Sequence, residues 1–179
     1  MMKKFKNLVF LLMLACCISF VSCGDDDSDP DTYITFEGVD GSASGKFTGG
    51  MTPQSKVPLA SYRLAGGGRT YCMAFKTTIS LTDFEASSGR SDFDNIYIYF
   101  IGKAAGTTYD GTNASVGLRI TGQNSDDVFY LIDPSITITK YSGYIEGSYE
   151  GEYPSSSGNI VKGSFVVKNF GDDKWPIPW

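Results

Sequence analysis

A two-residue period of apolar and polar side chains, repeated along most of the chain after residue 32, is the feature that most constrains its fold. In Ile136-Thr137-Ile138-Thr139 the isoleucines fall on one face of an extended chain and the threonines on the other. Such runs, rich in β-branched and aromatic residues and bounded by Gly, Asn, Asp, Ser or Pro, are typical of strands. The sequence predicts them at residues 33–37, 57–64, 71–79, 96–101, 116–121, 128–132 and 136–141.

Helical periodicity is missing after residue 32, because glycine, proline or β-branched clusters interrupt every stretch with apolar residues three and four apart. The gaps between the predicted strands are mostly short, which favours hairpins or Greek-key links. We therefore predict an all-β fold for residues 33–179, a single antiparallel β-sandwich of about eight to ten strands, with a meander β-barrel as the alternative.

The clearest predicted unit is a C-terminal hairpin, residues 144–153 and 160–170. Its inward positions combine aromatic residues with glycines, and its outward positions carry glutamates on one strand and lysines on the other. Opposite charges across a hairpin stabilise it by a few tenths of a kcal/mol for each pair, roughly. Inward glycines beside Tyr149 and Phe165 would let these rings lie over bare backbone.

The first residues are typical of an export signal. Lys3, Lys4 and Lys6 precede an apolar run of fourteen residues, 8–21, which is shorter than the about 20 residues of a membrane-spanning helix. The following Phe20-Val21-Ser22-Cys23 resembles the lipobox at which a leader is removed and the new N-terminal cysteine is acylated. The resemblance implies a lipoprotein signal peptide at 1–22 and lipidation of Cys23; an ordinary secretory signal is the alternative.

Five aspartates among residues 24–31 leave nothing apolar to bury, so residues 23–32 are predicted to be an acylated, flexible acidic tether. An acylated cysteine followed by acidic residues resembles the surface-export signal of Bacteroidetes-type lipoproteins. This resemblance implies lipid anchoring at the outer membrane, on the cell surface. A solvated spacer without any sorting role is the alternative interpretation.

The hairpin sequence Ile145-Glu146-Gly147-Ser148-Tyr149 and Val161-Lys162-Gly163-Ser164-Phe165 is similar to the C-terminal signature of small β-rich lipoproteins from the same bacterial group. The similarity supplies no catalytic residues.

Composition restricts the chemistry of the protein. The chain contains no histidine, which excludes imidazole-based catalysis and the usual zinc sites with histidine ligands. The formal net charge is -5, and loss of the three leader lysines leaves 12 Lys and Arg against 20 Asp and Glu, about -8. Such a surface repels phosphate backbones, so we expect no nucleic-acid partner. We also expect no metal and no cofactor.

Removal of the leader and acylation of Cys23 leave Cys72 as the one free thiol of the mature sequence. It lies in a strand-like run, 70–76, with no base nearby in the sequence. We therefore predict a small buried apolar residue rather than a nucleophile.

Candidate ligand contacts are Trp175 and Trp179, which two prolines would present as sugar-stacking rings. The alternative is a C-terminal plug that buries both indoles. A carboxylate pair from 83–85 and 92–94 could serve a glycosidase, but solvated turn residues explain these positions better. The glycines at 66–68 precede a strand and predict a hairpin loop rather than a phosphate cradle.

These observations predict a surface-anchored, non-catalytic binding module for a glycan or host polymer. An accessory or structural subunit of an outer-membrane protein assembly is the alternative. A glycoside hydrolase that uses carboxylates alone is a third hypothesis.

Overall fold

Strands dominate the computed structural model, which describes residues 30–39, 43–52, 60–77, 79–80, 82–83, 93–120, 128–154 and 158–169. Short 3-10 turns occupy Gly66–Gly68 and Gly111–Asn113. The strands of these described ranges are β1 (Tyr33–Val39), β2 (Ala43–Phe47), β3 (Met51–Thr52), β4 (Ser61–Ala65), β5 (Arg69–Phe75), β6 (Ile79–Ser80), β7 (Asn95–Ile101), β8 (Thr107–Tyr109), β9 (Ala114–Arg119), β10 (Phe129–Tyr130), β11 (Ile132–Ser142), β12 (Tyr144–Glu152) and β13 (Ile160–Asn169).

Eleven of these strands form one sheet in the order β10-β9-β7-β5-β4-β13-β12-β11-β8, with β1 paired to β13 and β2 paired to β1. Strands β3 and β6 form a separate two-stranded sheet. The predicted all-β class is confirmed, and the two-layer sandwich stays a prediction. Thirteen strands occur in the described ranges, more than the eight to ten expected, because pieces as short as β3, β6 and β10 show no readable period.

The sheet is mixed, whereas the sequence predicted an antiparallel one. Strand β13 runs parallel to β4 at Lys168 and Asn169, and β3 runs parallel to β6. The prediction rested on the absence of helical crossovers between consecutive strands. In both parallel pairs other strands lie between the partners in the sequence, so no single crossover is needed.

Strands β10 and β11 are separated by one residue and belong to opposite ends of the strand order. Strand β10 pairs with β9, and the amide of Leu131 then donates to the carbonyl of Val116 at 3.0 Å. Strand β11 continues beside β12 and β8. Asp133, with a φ of 45°, lies within β11 where its register with β12 shifts between Ile132 and Ser135.

The inward faces of these strands form one hydrophobic core. Alternation places Ile96, Ile98 and Phe100 of β7 in this core, and Val116 and Leu118 of β9 pack with them. The alternation of apolar and polar residues in the sequence therefore identifies which side chains of these strands face the core.

The predicted C-terminal hairpin is confirmed as β12 and β13, with Glu150 opposite Lys162. Tyr149 lies opposite Gly163, and its ring crosses that glycine so that its hydroxyl donates to the carbonyl of Thr35 on β1 at 2.7 Å. Phe165 lies over Gly147 in the same way. The predicted packing of rings on bare backbone is therefore present.

The compact unit that contains these strands spans Asp31–Trp179. The leader at 1–22, the acylation site Cys23 and residues 24–29 of the acidic tether lie outside the described residues. Within the described ranges, no helix has the length and apolar character needed to cross a membrane.

Candidate functional site

Four tyrosines gather on the outward face of β5, β7, β9 and β10. Strand register places Tyr71 beside Tyr99, and Tyr99 beside Ser115. The next row runs from Tyr97 across Gly117 to Tyr130. We call this surface the tyrosine face, defined by Tyr71, Tyr97, Tyr99, Ser115 and Tyr130.

The rings of the tyrosine face form two contacting pairs. The centroids of Tyr71 and Tyr99 are 4.9 Å apart, and those of Tyr97 and Tyr130 are 5.8 Å apart in an edge-on arrangement. Between the pairs lies a cavity of about 220 Å³ that Ser115 helps to line. This volume is below the about 300–1,000 Å³ of pockets for drug-sized ligands, so the cavity suits one ring of a longer ligand.

Tyr97 forms the floor of the cavity. It is 9% exposed, whereas Tyr130 at the rim is 48% exposed. Gly117 permits this depth, since a Cβ there would collide with the Tyr97 ring. Burial and the neighbouring Tyr130 hydroxyl raise the pKa of Tyr97, and Ser115 also hydrogen-bonds its hydroxyl. The face therefore presents a neutral network of hydroxyl groups beside aromatic carbon.

A second surface lies on the outward face of β2, β1, β13, β12 and β11, where a groove of about 810 Å³ is lined mostly by hydroxyl and charged side chains. One row of the sheet there carries a lysine and five hydroxyl residues: Lys46, Thr35, Ser164, Ser148, Thr137 and Thr108. The next row carries Ser44, Glu37, Lys162, Glu150 and Ser135.

Several polar side chains of this groove already form hydrogen bonds, ion pairs or ring contacts within the protein. The Thr35 hydroxyl contacts that of Ser164 at 3.1 Å, and the Lys162 ammonium lies 3.0 Å from the Glu37 carboxylate. The Lys46 ammonium lies 4.4 Å from the centroid of Tyr33. These hydroxyl and charged groups of the groove are therefore engaged with one another or with a neighbouring ring.

The candidate contacts Trp175 and Trp179 lie outside the described residues, as does the predicted lipidation site Cys23. Cys72 is fully buried, as predicted, and burial raises the pKa of its thiol. A buried thiol of raised pKa is not a nucleophile.

The candidate carboxylate pair is only partly within the described residues. Asp83 is exposed and accepts a hydrogen bond from the Ser80 hydroxyl at 2.6 Å. Asp94 is buried, with its carboxylate 3.2 Å from the Lys76 ammonium. The described ranges contain no group of three Cys, Asp or Glu side chains arranged to hold a metal ion.

The turn predicted at residues 66–68 is confirmed. The glycines at 66–68 join β4 and β5, and Gly67 and Gly68 adopt φ values of 74° and 75° that favour glycine. The Gly111–Asn113 turn leads into β9.

Comparison of the chain with protein-family models, curated proteins and solved structures finds no match.

Sequence reasoning missed the tyrosine face, although part of its signal is present. Strand β7 alternates isoleucine with Tyr97 and Tyr99, so both of its faces carry large apolar groups. A strand of this kind is covered on both sides or serves as a contact surface. The sequence does not show that Tyr71 and Tyr130 join the same face, because this depends on the strand order.

Proposed function

We propose that this protein is a surface-anchored, non-catalytic binding module that recognises a glycan through the tyrosine face. The observation that supports the proposal is the cavity between the two tyrosine pairs, lined by four phenol rings and Ser115. Aromatic rings cover the apolar face of a sugar ring, while hydroxyl groups on both partners exchange hydrogen bonds.

Tyrosine suits such recognition because it offers a large, rigid and amphipathic surface that loses little conformational entropy on binding. Tyr97 is held by its ring contact with Tyr130 and by the hydroxyl of Ser115. Tyr71 and Tyr99 are held by each other. The site is therefore largely formed before a ligand arrives.

Non-catalytic function is supported by the surroundings of the described carboxylates. The side chains of Asp94 and Glu37 are paired with Lys76 and Lys162, respectively. The strands that carry the tyrosine face contain no Asp or Glu, and a glycosidase needs two carboxyl groups beside the sugar.

The first test replaces Tyr99 or Tyr130 by alanine and measures binding to a polysaccharide array by isothermal titration of each hit. We expect each substitution to weaken binding by roughly ten- to thirtyfold, because truncation of an aromatic contact residue commonly costs about 2 kcal/mol. Tyr33→Ala is the matched control, since Tyr33 lies on β1 and outside the tyrosine face.

Unchanged affinity in both variants would contradict the proposed site. Trp175→Ala and Trp179→Ala belong in the same titration, because a loss of binding confined to them would assign recognition to the C-terminal tail instead.

The second candidate function, a subunit of an outer-membrane protein assembly, is favoured by one observation. The outward positions of β5 and β7 carry tyrosines, Met73 and Arg69, a composition enriched at protein–protein interfaces. The same Tyr99→Ala variant would then lose a co-purifying membrane protein and keep its affinity for polysaccharides.

The anchor is supported by the sequence around Cys23 and has its own test. We expect mass spectrometry of the native protein to show an N-terminal Cys23 that carries fatty acyl groups, and we expect Cys23→Ala to release the protein from the membrane fraction. An unmodified Cys23, or a leader still attached, would contradict this part of the proposal.

A further inference from the structure

We propose that the ligand of the tyrosine face is an anionic polysaccharide, one that carries carboxylate or sulfate groups. This inference rests on the proposed function and names its ligand class. It depends on how the fold distributes charge over the two halves of the sheet.

The strands β4, β5, β7, β9 and β10 contain no Asp or Glu. They carry three arginines, Arg63, Arg69 and Arg119. The acidic residues of the described strands lie instead on β1, β11 and β12: Glu37, Asp133, Glu146, Glu150 and Glu152.

This separation matters because the sequence as a whole is acidic, with a formal net charge of -5. A protein of that charge repels polyanions at long range. The other half of the sheet carries lysines too, but Lys140 and Lys162 are paired there with Glu146 and Glu37. On the strands of the tyrosine half an anion meets arginines with no carboxylate on the same strands, and charges within a Debye length of about 8 Å are screened least.

Two of the arginines lie beside the tyrosines on the same outward face. Arg63 of β4 is the register partner of Tyr71. Arg69 lies two residues before Tyr71 on β5, so its side chain leaves the same side of the sheet. Arg69 is exposed and Arg63 is half-buried.

The spacing fits one polymer that contacts rings and cations together. Adjacent strands are about 4.8 Å apart, and alternate residues of a strand are about 6.8 Å apart. Neither arginine lines the cavity, so a polymer with one ring seated between the tyrosine pairs brings a carboxylate or sulfate group to Arg63 or Arg69 where it continues past Tyr71. Arginine binds such planar or tetrahedral oxyanions through two parallel hydrogen bonds.

Asp92, Asp126 and Asp127 lie outside the described residues, and of the described carboxylates Asp94, Asp110 and Asp133 are closest in sequence to these strands. Asp94 precedes β7 and lies 3.2 Å from the Lys76 ammonium. Asp110 precedes the turn into β9 and belongs to no strand of the tyrosine face.

The experiment compares polygalacturonate with its fully methyl-esterified form, which keeps the sugar backbone and removes the charge. Dextran sulfate and neutral dextran form the sulfated pair, and polyglutamate is a polyanion without sugar rings. Wild-type protein is titrated with each polymer at low and at physiological salt.

We expect at least one anionic polysaccharide to bind about tenfold more tightly than its neutral counterpart at low salt, and to lose most of that advantage as salt rises. Whichever pair shows the difference identifies carboxylate or sulfate as the recognised group. The double variant Arg63→Gln and Arg69→Gln is expected to remove the difference. Lys140→Gln with Lys162→Gln removes the same charge from the other half of the sheet and should preserve it.

Equal affinity for charged and neutral polysaccharides would overturn the anionic ligand class and leave the glycan-binding proposal standing. Polyglutamate that binds as tightly as the anionic polysaccharides would overturn the inference, since charge alone would then explain binding. Absence of binding to every polysaccharide would overturn both proposals.

Discussion

Replacing Gly163 by alanine is expected to destabilise the protein by about 3 kcal/mol or more, the upper part of the range for added atoms in a packed interior. A Cβ at this position would lie 2.8 Å from each of two ring carbons of Tyr149. It would lie closer still to the carbonyl oxygen of Thr35 on β1. The carbonyl belongs to a strand paired with β13, so it cannot retreat without loss of that pairing. Urea unfolding followed by circular dichroism measures the effect.

Gly66→Ala is the matched control, because nothing lies within 4 Å of a Cβ there. We expect its stability to stay within about 0.5 kcal/mol of wild type, as for most surface substitutions. A Gly163→Ala variant as stable as Gly66→Ala would show that β1, β12 and β13 pack differently from the arrangement described above.

The second large effect is alkaline destabilisation. Burial raises the pKa of the Cys72 thiol above its ordinary value of 9.0, and burial raises the pKa of the Tyr149 hydroxyl above 10.0. Both groups ionise more readily in the unfolded chain than in the folded one. The stability that each contributes is therefore fully present below its unfolded pKa and declines as pH rises from that value to the folded pKa. Each group then removes about 1.4 kcal/mol of unfolding free energy for every pH unit until its folded pKa is reached.

We therefore expect urea midpoints to be nearly constant from about pH 7 to pH 8 and to fall steeply beyond about pH 10. Cys72→Ala should reduce the slope of stability against pH above the ordinary thiol pKa of 9.0, and Tyr149→Phe should reduce it above the ordinary phenol pKa of 10.0. Phe165→Leu provides the control, because it alters the same core without removing an ionisable group. A wild-type stability that stays constant to about pH 11 would contradict the burial of these two groups.

The C-terminal hairpin shows how much sequence reasoning could recover. Alternation across β12 and β13 identified both strands, their inward faces and the role of Gly147 and Gly163 beneath aromatic rings. Success was possible there because the two strands are neighbours in sequence and their register follows from one turn. The burial of Cys72 could be predicted for a similar reason, since a strand pattern alone marks its inward position.

Other parts of the fold carried no local signal. The parallel contact of β13 with β4 joins Lys168 to Ser61, residues far apart in the chain. Strands of two residues, such as β10, are too short for a period to be recognised. Trp175 and Trp179 are candidates because exposed indoles bind sugars, whereas the ring cluster that the structure displays is built of tyrosines from three separate strands.

The sequence by itself determined that the chain forms strands, which side chains of each strand face inward, and where glycine admits a ring. These properties follow from a period of two residues, which each strand carries in its own sequence. Only the tertiary structure decided that Tyr71, Tyr97, Tyr99 and Tyr130 share one face with arginines, on described strands that carry no carboxylate. That outcome depends on the strand order, which is selected by the packing of the whole core and by pairings between distant segments.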